Sequence, residues 1–209
     1  MELSVILFLA LLAWVGLTRL AELEISRRHQ RQLALRGIPF RRAALRSSGS
    51  TSTARTRGRR FDPQYRWMVA LHAGVLAAAA LEVVWLRRPL LPALAAPAAL
   101  LFVLATGLRW WAIRSLGAQW NVQVMDSASL GVVATGPFRW VRHPNYLGVL
   151  VEMAAVPLIH TAWVTALLAT AGNVWVLRNR LRVEEPMLEA HPQYRTAMSG
   201  KPRFLPRIF

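Results

Sequence analysis

Four long runs of apolar residues, each bounded by arginine, constrain this chain more than any other feature. Leu3 to Leu20 is interrupted chiefly by Thr18 and Arg19. Trp67 to Leu86 holds His72 and Glu82, Pro89 to Leu108 carries no charge, and Leu147 to Leu177 carries only Glu152. A run of about 20 apolar residues fits one helix crossing a hydrocarbon core of about 30 Å. The last run, about 46 Å as a single helix, overshoots that core. Pro157, His160 and Thr161 offer a break, so it reads as a hairpin of two short helices. The expected fold is all-α and integral to a membrane, with about five transmembrane helices, the last two forming the hairpin.

Arginine placement tests this topology. With five spans, segments 21–64, 109–142 and 178–209 share one side and hold eleven, four and seven basic residues, while Arg87 and Arg88 sit opposite. Cytoplasmic loops carry the excess of Lys and Arg, so the N-terminus is expected outside and the C-terminus inside. Glu2 takes the place of a basic n-region and no small-residue cleavage site follows, so Leu3 to Leu20 reads as a retained span rather than a signal peptide. Residues 21–35 suggest a short interfacial helix. The basic loop around 41–60, with the low-complexity stretch Ser47 to Thr56, is expected to be disordered. Residues 109–142 read as a connecting segment, with Trp110, Trp111 and Trp120 suited to a headgroup-level belt. Pro92 and Pro97 are expected to kink the third span, and Pro186, Pro192, Pro202 and Pro206 to break the tail. The whole is one domain: three spans within 1–108 and a chemistry-bearing part in 109–209.

Several function classes drop out. The chain has no cysteine, which removes disulfides and thiolate chemistry. Its five histidines are scattered with no pair at i, i+4, so no metal site is expected. A net charge of +16 would suit nucleic acid, but arginines lying between apolar segments set topology and meet anionic lipid headgroups instead.

The residues that point to chemistry bracket the last apolar run. Arg142-His143-Pro144-Asn145-Tyr146 precedes it, and Arg180 with Glu184 and Glu185 follows it. Pro144 suits the first helical position, which puts Asn145 and Tyr146 in a first turn where free amides favour an anionic group. Arg180 and Glu184 are spaced i, i+4 and face the same way, while Glu185 lies on another face. Glu152 is expected to be buried and hydrogen-bonded, with Asn173 as a partner across the hairpin. His72 reads as a packing residue, and Glu82 as snorkelling at its helix end.

The stretches ATGPFRWVRHPNYLG and LRNRLRVEEPMLEAHPQYRTAMSGKPRFLP resemble the isoprenylcysteine carboxyl methyltransferase family, in which separated blocks keep this order. The segments TRLAELEISRRHQRQLALRG, MVALHAGVLAAAALE and LGAQWNVQV are similar to a bacterial branch whose members O-methylate alkylpyrones or alkylresorcinols. The resemblance implies S-adenosylmethionine bound without a Rossmann fold, in a pocket made by the cytoplasmic C-terminal segments of a plasma-membrane protein. It implies that Gln123, Leu130, Gly131, Val132, Val133, Phe138, His143, Pro144, Asn145, Tyr146 and Glu184 line the cofactor and that Arg180, the catalytic candidate, reaches the substrate. Two departures stand out: Phe138 replaces the usual Tyr, and Leu130 stands where many members have His.

Methyl transfer from a sulfonium needs positioning and an unhydrated nucleophile more than acid–base groups. Arg180 suits an anionic acceptor, by charge-assisted hydrogen bonding. His143 suits either cofactor binding or proton acceptance. The acceptor is expected to be lipophilic, either a hydroxyl of alkylpyrone or alkylresorcinol type or an isoprenylcysteine carboxylate. Two other readings stay open on the residues alone: an NADPH-dependent sterol-type membrane reductase and a non-catalytic lipid-binding protein.

Overall fold

The computed structural model describes residues 2–35, 63–124 and 130–205. The loop expected to be disordered around 41–60 lies outside the described residues, as does Pro206. The described residues form six α-helices: α1 (Leu3–Leu35), α2 (Pro63–Trp85), α3 (Pro92–Leu116), α4 (Pro144–Leu158), α5 (Trp163–Glu189) and α6 (Pro192–Met198). Short 3-10 turns occupy Gly117–Gln119 and Gly136–Arg139.

Three stretches are long and apolar enough to cross a membrane: Leu3–Leu33, Tyr65–Trp85 and Pro92–Gln119. Their outer faces expose large apolar side chains such as Leu7, Leu17, Leu100 and Leu104, which suits contact with lipid tails. The regular structure among the described residues is thus helical, with three spans of membrane-crossing length and composition, as suits a membrane protein. By its 15 residues α4 is about 22 Å long, short of the hydrocarbon thickness, and α5 at 27 residues is about 40 Å. The two pack side by side and are joined by residues 159–162.

Several boundaries differ from the sequence reading. Helix α1 runs unbroken through residues 21–35, where a separate interfacial helix was expected, because Arg19 and Glu22 find partners in the bundle and need not turn out to water. Helix α3 continues to Leu116, so Arg109, Trp110 and Trp111 belong to it and the connecting segment starts at Gly117. Pro92 opens α3 and so cannot kink it, since its missing N–H falls among the free donors of a first turn. Pro186 lies inside α5 rather than ending it.

Contacts divide the bundle into two ends. At one, Thr161 Oγ1 donates to the Pro89 carbonyl at 2.6 Å and His160 Nε2 lies 3.3 Å from Ser4 Oγ. Glu82 does not snorkel. Its carboxylate accepts from the Val164 and Thr165 amides at 3.3 and 2.8 Å and from Thr165 Oγ1 at 2.8 Å, with Arg88 beside it at 2.9 Å. Helix α5 has only Ala162 at its N-cap, so an acid from α2 satisfies amides that would otherwise be orphaned in an apolar setting.

Midway along the bundle lies a four-charge cluster. Arg109 on α3, 4% exposed, donates to Glu22 at 2.8 Å and to Glu152 at 3.0 Å. Arg19 on α1 binds the same two acids at 2.9 and 2.6 Å, and Thr106 Oγ1 donates to Glu152 at 2.7 Å. Glu152 is thus buried as expected, but its partners are these groups and not Asn173. Two arginines and two glutamates neutralise one another and join α1, α3 and α4. Gly148 makes room for this. A Cβ there would lie 2.3 Å from Arg109 Cγ and 3.0 Å from the Ala105 carbonyl. Gly148→Ala is expected to displace Arg109 and destabilise the protein by about 1–3 kcal/mol, read as a lower Tm in detergent. Glu152→Ala, which leaves Arg109 and Arg19 sharing one acid, is expected to cost more, about 3–5 kcal/mol.

Candidate functional site

The opposite end of the bundle gathers the polar residues. Pro144 opens α4, so Asn145 and Tyr146 stand in its first turn. Arg180 and Glu184 face them from α5. The Tyr146 hydroxyl donates to Glu184 Oε2 and accepts from Arg180 Nε at 3.3 Å, so it links the two residues that the i, i+4 spacing sets on one face. The Arg180 guanidinium carbon lies 5.5 Å from the Tyr146 ring centroid, and its Nη1 meets Met68 Sδ of α2 at 3.4 Å. The His143 ring stacks on Tyr146 at 5.4 Å and 7°.

A roof closes over this group. Residues 117–124 leave α3 and are held by the second half of α1. Asn121 Oδ1 accepts from Ser26 Oγ and Gln30 Nε2, both at 2.9 Å; Ser26 Oγ in turn accepts from the Val122 amide at 3.1 Å. His29 Nδ1 lies 2.9 Å from the Trp120 carbonyl. On the next wall, Gly131 takes φ +105° and Gly136 φ +59°, conformations that favour glycine. A Cβ on Gly136 would also fall 2.2 Å from Ser115 Oγ. That turn packs Phe138 into a small core with Ala112, Leu188, Tyr194 and Met198.

These elements line a cleft with a cavity volume of about 100 Å³. Gln123, Gly131, Val132, Val133, Phe138, His143, Pro144, Asn145, Tyr146, Arg180 and Glu184 all line it. Of the residues expected to line the cofactor, Leu130 alone stands outside the lining, and its carbonyl accepts from Gln119 Nε2 at 3.4 Å; Glu185, also singled out in the sequence, lies outside it too. Buried polar atoms without a partner among the described residues concentrate here: Asn121 Nδ2, Gln123 Oε1, Arg142 Nε and Asn145 Oδ1. Unpaired donors and acceptors on one wall set mark a place suited to a polar ligand.

A second cavity, about 330 Å³, lies between α1, α2, α4 and α5 and is mostly apolar. The two share Trp120, Asn121, Asn145, Tyr146 and Arg180 as a common wall. Trp120 is 4% exposed, so this tryptophan is a partition between cavities rather than a headgroup anchor. Trp120, Asn121 and Tyr194 are lining residues that the sequence reading did not select, whereas Arg142 was singled out there. The string AQWNVQV held the first two, but only the fold shows that a turn aims them inward.

Residues 98–190 match the isoprenylcysteine carboxyl methyltransferase (ICMT) family. The uncharacterised protein YpbQ of Bacillus subtilis (strain 168) is 37% identical over 84 residues, which cover 40% of this chain and 50% of that protein. The eukaryotic intramembrane Ras methyltransferase ICMT superposes with a TM-score of 0.53 at 21% identity, over 71% of this chain and 55% of that one. At that identity the likeness concerns the fold. The chain thus spans about half the length of the relatives it matches.

The matched segment ends at residue 190, and the tail beyond it clasps the cavity from below. The Arg142 and His143 amides donate to the Pro202 and Arg203 carbonyls, both at 2.9 Å, and Lys201 Nζ donates to the Phe138 carbonyl at 2.9 Å. Glu185 anchors the clasp. It accepts from Arg203 Nη2 at 2.6 Å, with Arg142 Nη2 at 3.5 Å and His143 Nε2 at 3.3 Å. Burial alone would raise this carboxyl, but the His143 and Arg203 contacts and the Arg142 charge outweigh it and hold the pKa at about 2. The folded value lies below the ordinary glutamate value of about 4.3, so the stabilisation is complete above that value and is lost as pH falls through about 2. The Tm gap between wild type and Glu185→Gln is therefore expected to stay constant from pH 7 to about 5 and to close progressively below about 4.

Proposed function

The chain carries an isoprenylcysteine carboxyl methyltransferase family domain over residues 98–190, and on that premise we propose that it transfers a methyl group from S-adenosylmethionine to an oxygen of a lipophilic acceptor at the membrane interface. The single observation that carries this reading is the common wall of the two cavities. A polar chamber and an apolar one meet at Asn145, Tyr146 and Arg180. That is what a reaction between a water-soluble donor and a greasy acceptor requires.

The polar chamber fits the donor. It offers unmade hydrogen bonds of both senses, an amide donor at Asn121 and amide acceptors at Gln123 and Asn145. Glu184 adds a carboxylate for a cationic ligand, and Val132, Val133 and Phe138 an apolar bed for a flat ring. Phe138 keeps the stacking surface without a hydroxyl. When bound, S-adenosylmethionine supplies a methyl group activated by its sulfonium.

The protein's own part is positioning and dehydration. Arg180 stands on the common wall with its guanidinium fixed by the Tyr146 hydroxyl and the Tyr146 face. It holds the accepting oxygen as an anion by charge-assisted hydrogen bonding. Glu184, tied to the same hydroxyl, keeps the donor's cationic part beside that oxygen. The apolar cavity takes the acceptor's hydrocarbon and excludes water. A carboxylate needs no base; a hydroxyl acceptor of alkylpyrone or alkylresorcinol type, favoured by the N-terminal resemblance, must lose its proton.

Arg27, Arg28 and Arg31 of the second half of α1 and Arg142 at the entry to α4 lie toward the site end, which supports a reading with that end and the C-terminus facing the cytoplasm. Calorimetry of the full chain in detergent tests the reading. S-adenosylhomocysteine is expected to bind, and Glu184→Gln to weaken it at least about tenfold. NADPH binding without it would sink the proposal. Arg180→Ala is expected to keep S-adenosylhomocysteine binding while losing roughly a hundredfold or more in kcat/KM, and Tyr146→Phe to lose about 10–100-fold.

A further inference from the structure

The apolar cavity contains two polar groups that methyl transfer at Arg180 leaves unused. Asn173, midway along α5, is 1% exposed and lines the cavity. Its Nδ2 has no hydrogen-bond partner among the described residues. Buried amides are normally paired, and one left open beside a cavity points to a ligand atom. Across from it, His72 lines the same cavity from α2. Its Nδ1 lies 2.8 Å from the Met68 carbonyl. A carbonyl only accepts, so Nδ1 carries the proton, and in the neutral form of the ring Nε2 is then the acceptor.

The two residues stand at one level. Leu71 Cδ1 lies 3.1 Å from where a Cβ of Gly172 would be, so the α2 turn bearing His72 packs on the α5 turn bearing Asn173. On α2 that level is one turn from Met68, which touches the Arg180 guanidinium; on α5 Asn173 lies seven residues before Arg180, whose long side chain reaches back toward it. One turn is about 5 Å. Arg19, Glu22 and Arg109 also reach this cavity, but their carboxylate oxygens and terminal guanidinium nitrogens are bound within the four-charge cluster.

We infer that His72 and Asn173 form a second oxygen-binding point in the acceptor cavity, holding a neutral hydroxyl about one helical turn from the oxygen that Arg180 holds. A hydroxyl satisfies both partners at once: it donates to His72 Nε2 and accepts from Asn173 Nδ2. The acceptor is then a lipid whose head carries two oxygen functions, rather than one acidic group on a plain hydrocarbon. The inference rests on the reading of this cavity as the acceptor site.

The test uses the full chain in detergent with S-adenosylhomocysteine present and two matched probes, meta-pentadecylphenol and pentadecylresorcinol. Calorimetric titration is expected to show the two-oxygen probe binding about tenfold more tightly to wild type, the scale of one well-placed buried hydrogen bond. His72→Phe and Asn173→Leu are each expected to bring that ratio to within about twofold of one while leaving the phenol's affinity in place. Asn173→Leu is also expected to raise the Tm of the ligand-free protein, since it removes an unpaired buried amide; a purely structural asparagine would give a lower Tm. Equal binding of the two probes by wild type, or a preference kept by either variant, overturns the inference. Failure of S-adenosylhomocysteine to bind wild type removes the methyl-donor reading instead, so the two failures are told apart.

Discussion

The cluster of Arg19, Glu22, Arg109 and Glu152 is the constraint on which the rest of this structure depends. A single charge buried at this depth is costly, whereas four that cancel and share hydrogen bonds persist and fix the helices bearing them. Their geometry ties α1 and α3 to α4 two turns beyond Tyr146. Gly148 lies between, and its missing side chain lets the Arg109 stem pass against α4. The depth and rotation of the first turn of α4 are thereby set, and with them the positions of Asn145 and Tyr146.

From that anchored turn the chemistry is arranged by division. One face of Tyr146 and Asn145 looks into a chamber rich in unpaired polar atoms, the other into a chamber lined by hydrocarbon. Arg180 and Glu184 reach the boundary from α5, and the Tyr146 hydroxyl lies between them. A side chain shared by both chambers needs no large movement to present one ligand to the other. The clasp formed by residues 201–203 holds the backbone of Arg142 and His143 from outside, so the entry to α4 is fixed from two directions.

Much of this was legible in the sequence, for physical reasons that differ by element. Apolar runs and the Pro144 start sufficed for the helices and for the meeting of Tyr146 with Arg180, because hydrophobic length and proline's fixed φ act locally. The partners of Glu152 were not legible. Arg19 and Arg109 sit 133 and 43 residues away, and an arginine at the edge of an apolar run reads as a boundary unless a remote acid draws it inward. The same holds for Glu82, whose role as a cap for α5 depends on a tertiary contact. Trp120 read as an anchor because its composition fits the interface; only the turn after α3 makes it a partition. Leu130 fell outside the lining, its carbonyl being taken by Gln119.

The long α1 has one more consequence. Its second half supplies the Ser26 and Gln30 contacts that hold Asn121, and its middle supplies Arg19 and Glu22. The stretch from 98 to 190, however recognisable, is therefore not self-sufficient. Excised, it would leave Arg109 with a single counter-ion and the Asn121 loop unsupported. During synthesis the earliest helix made must wait for the later ones before either chamber has its full set of walls.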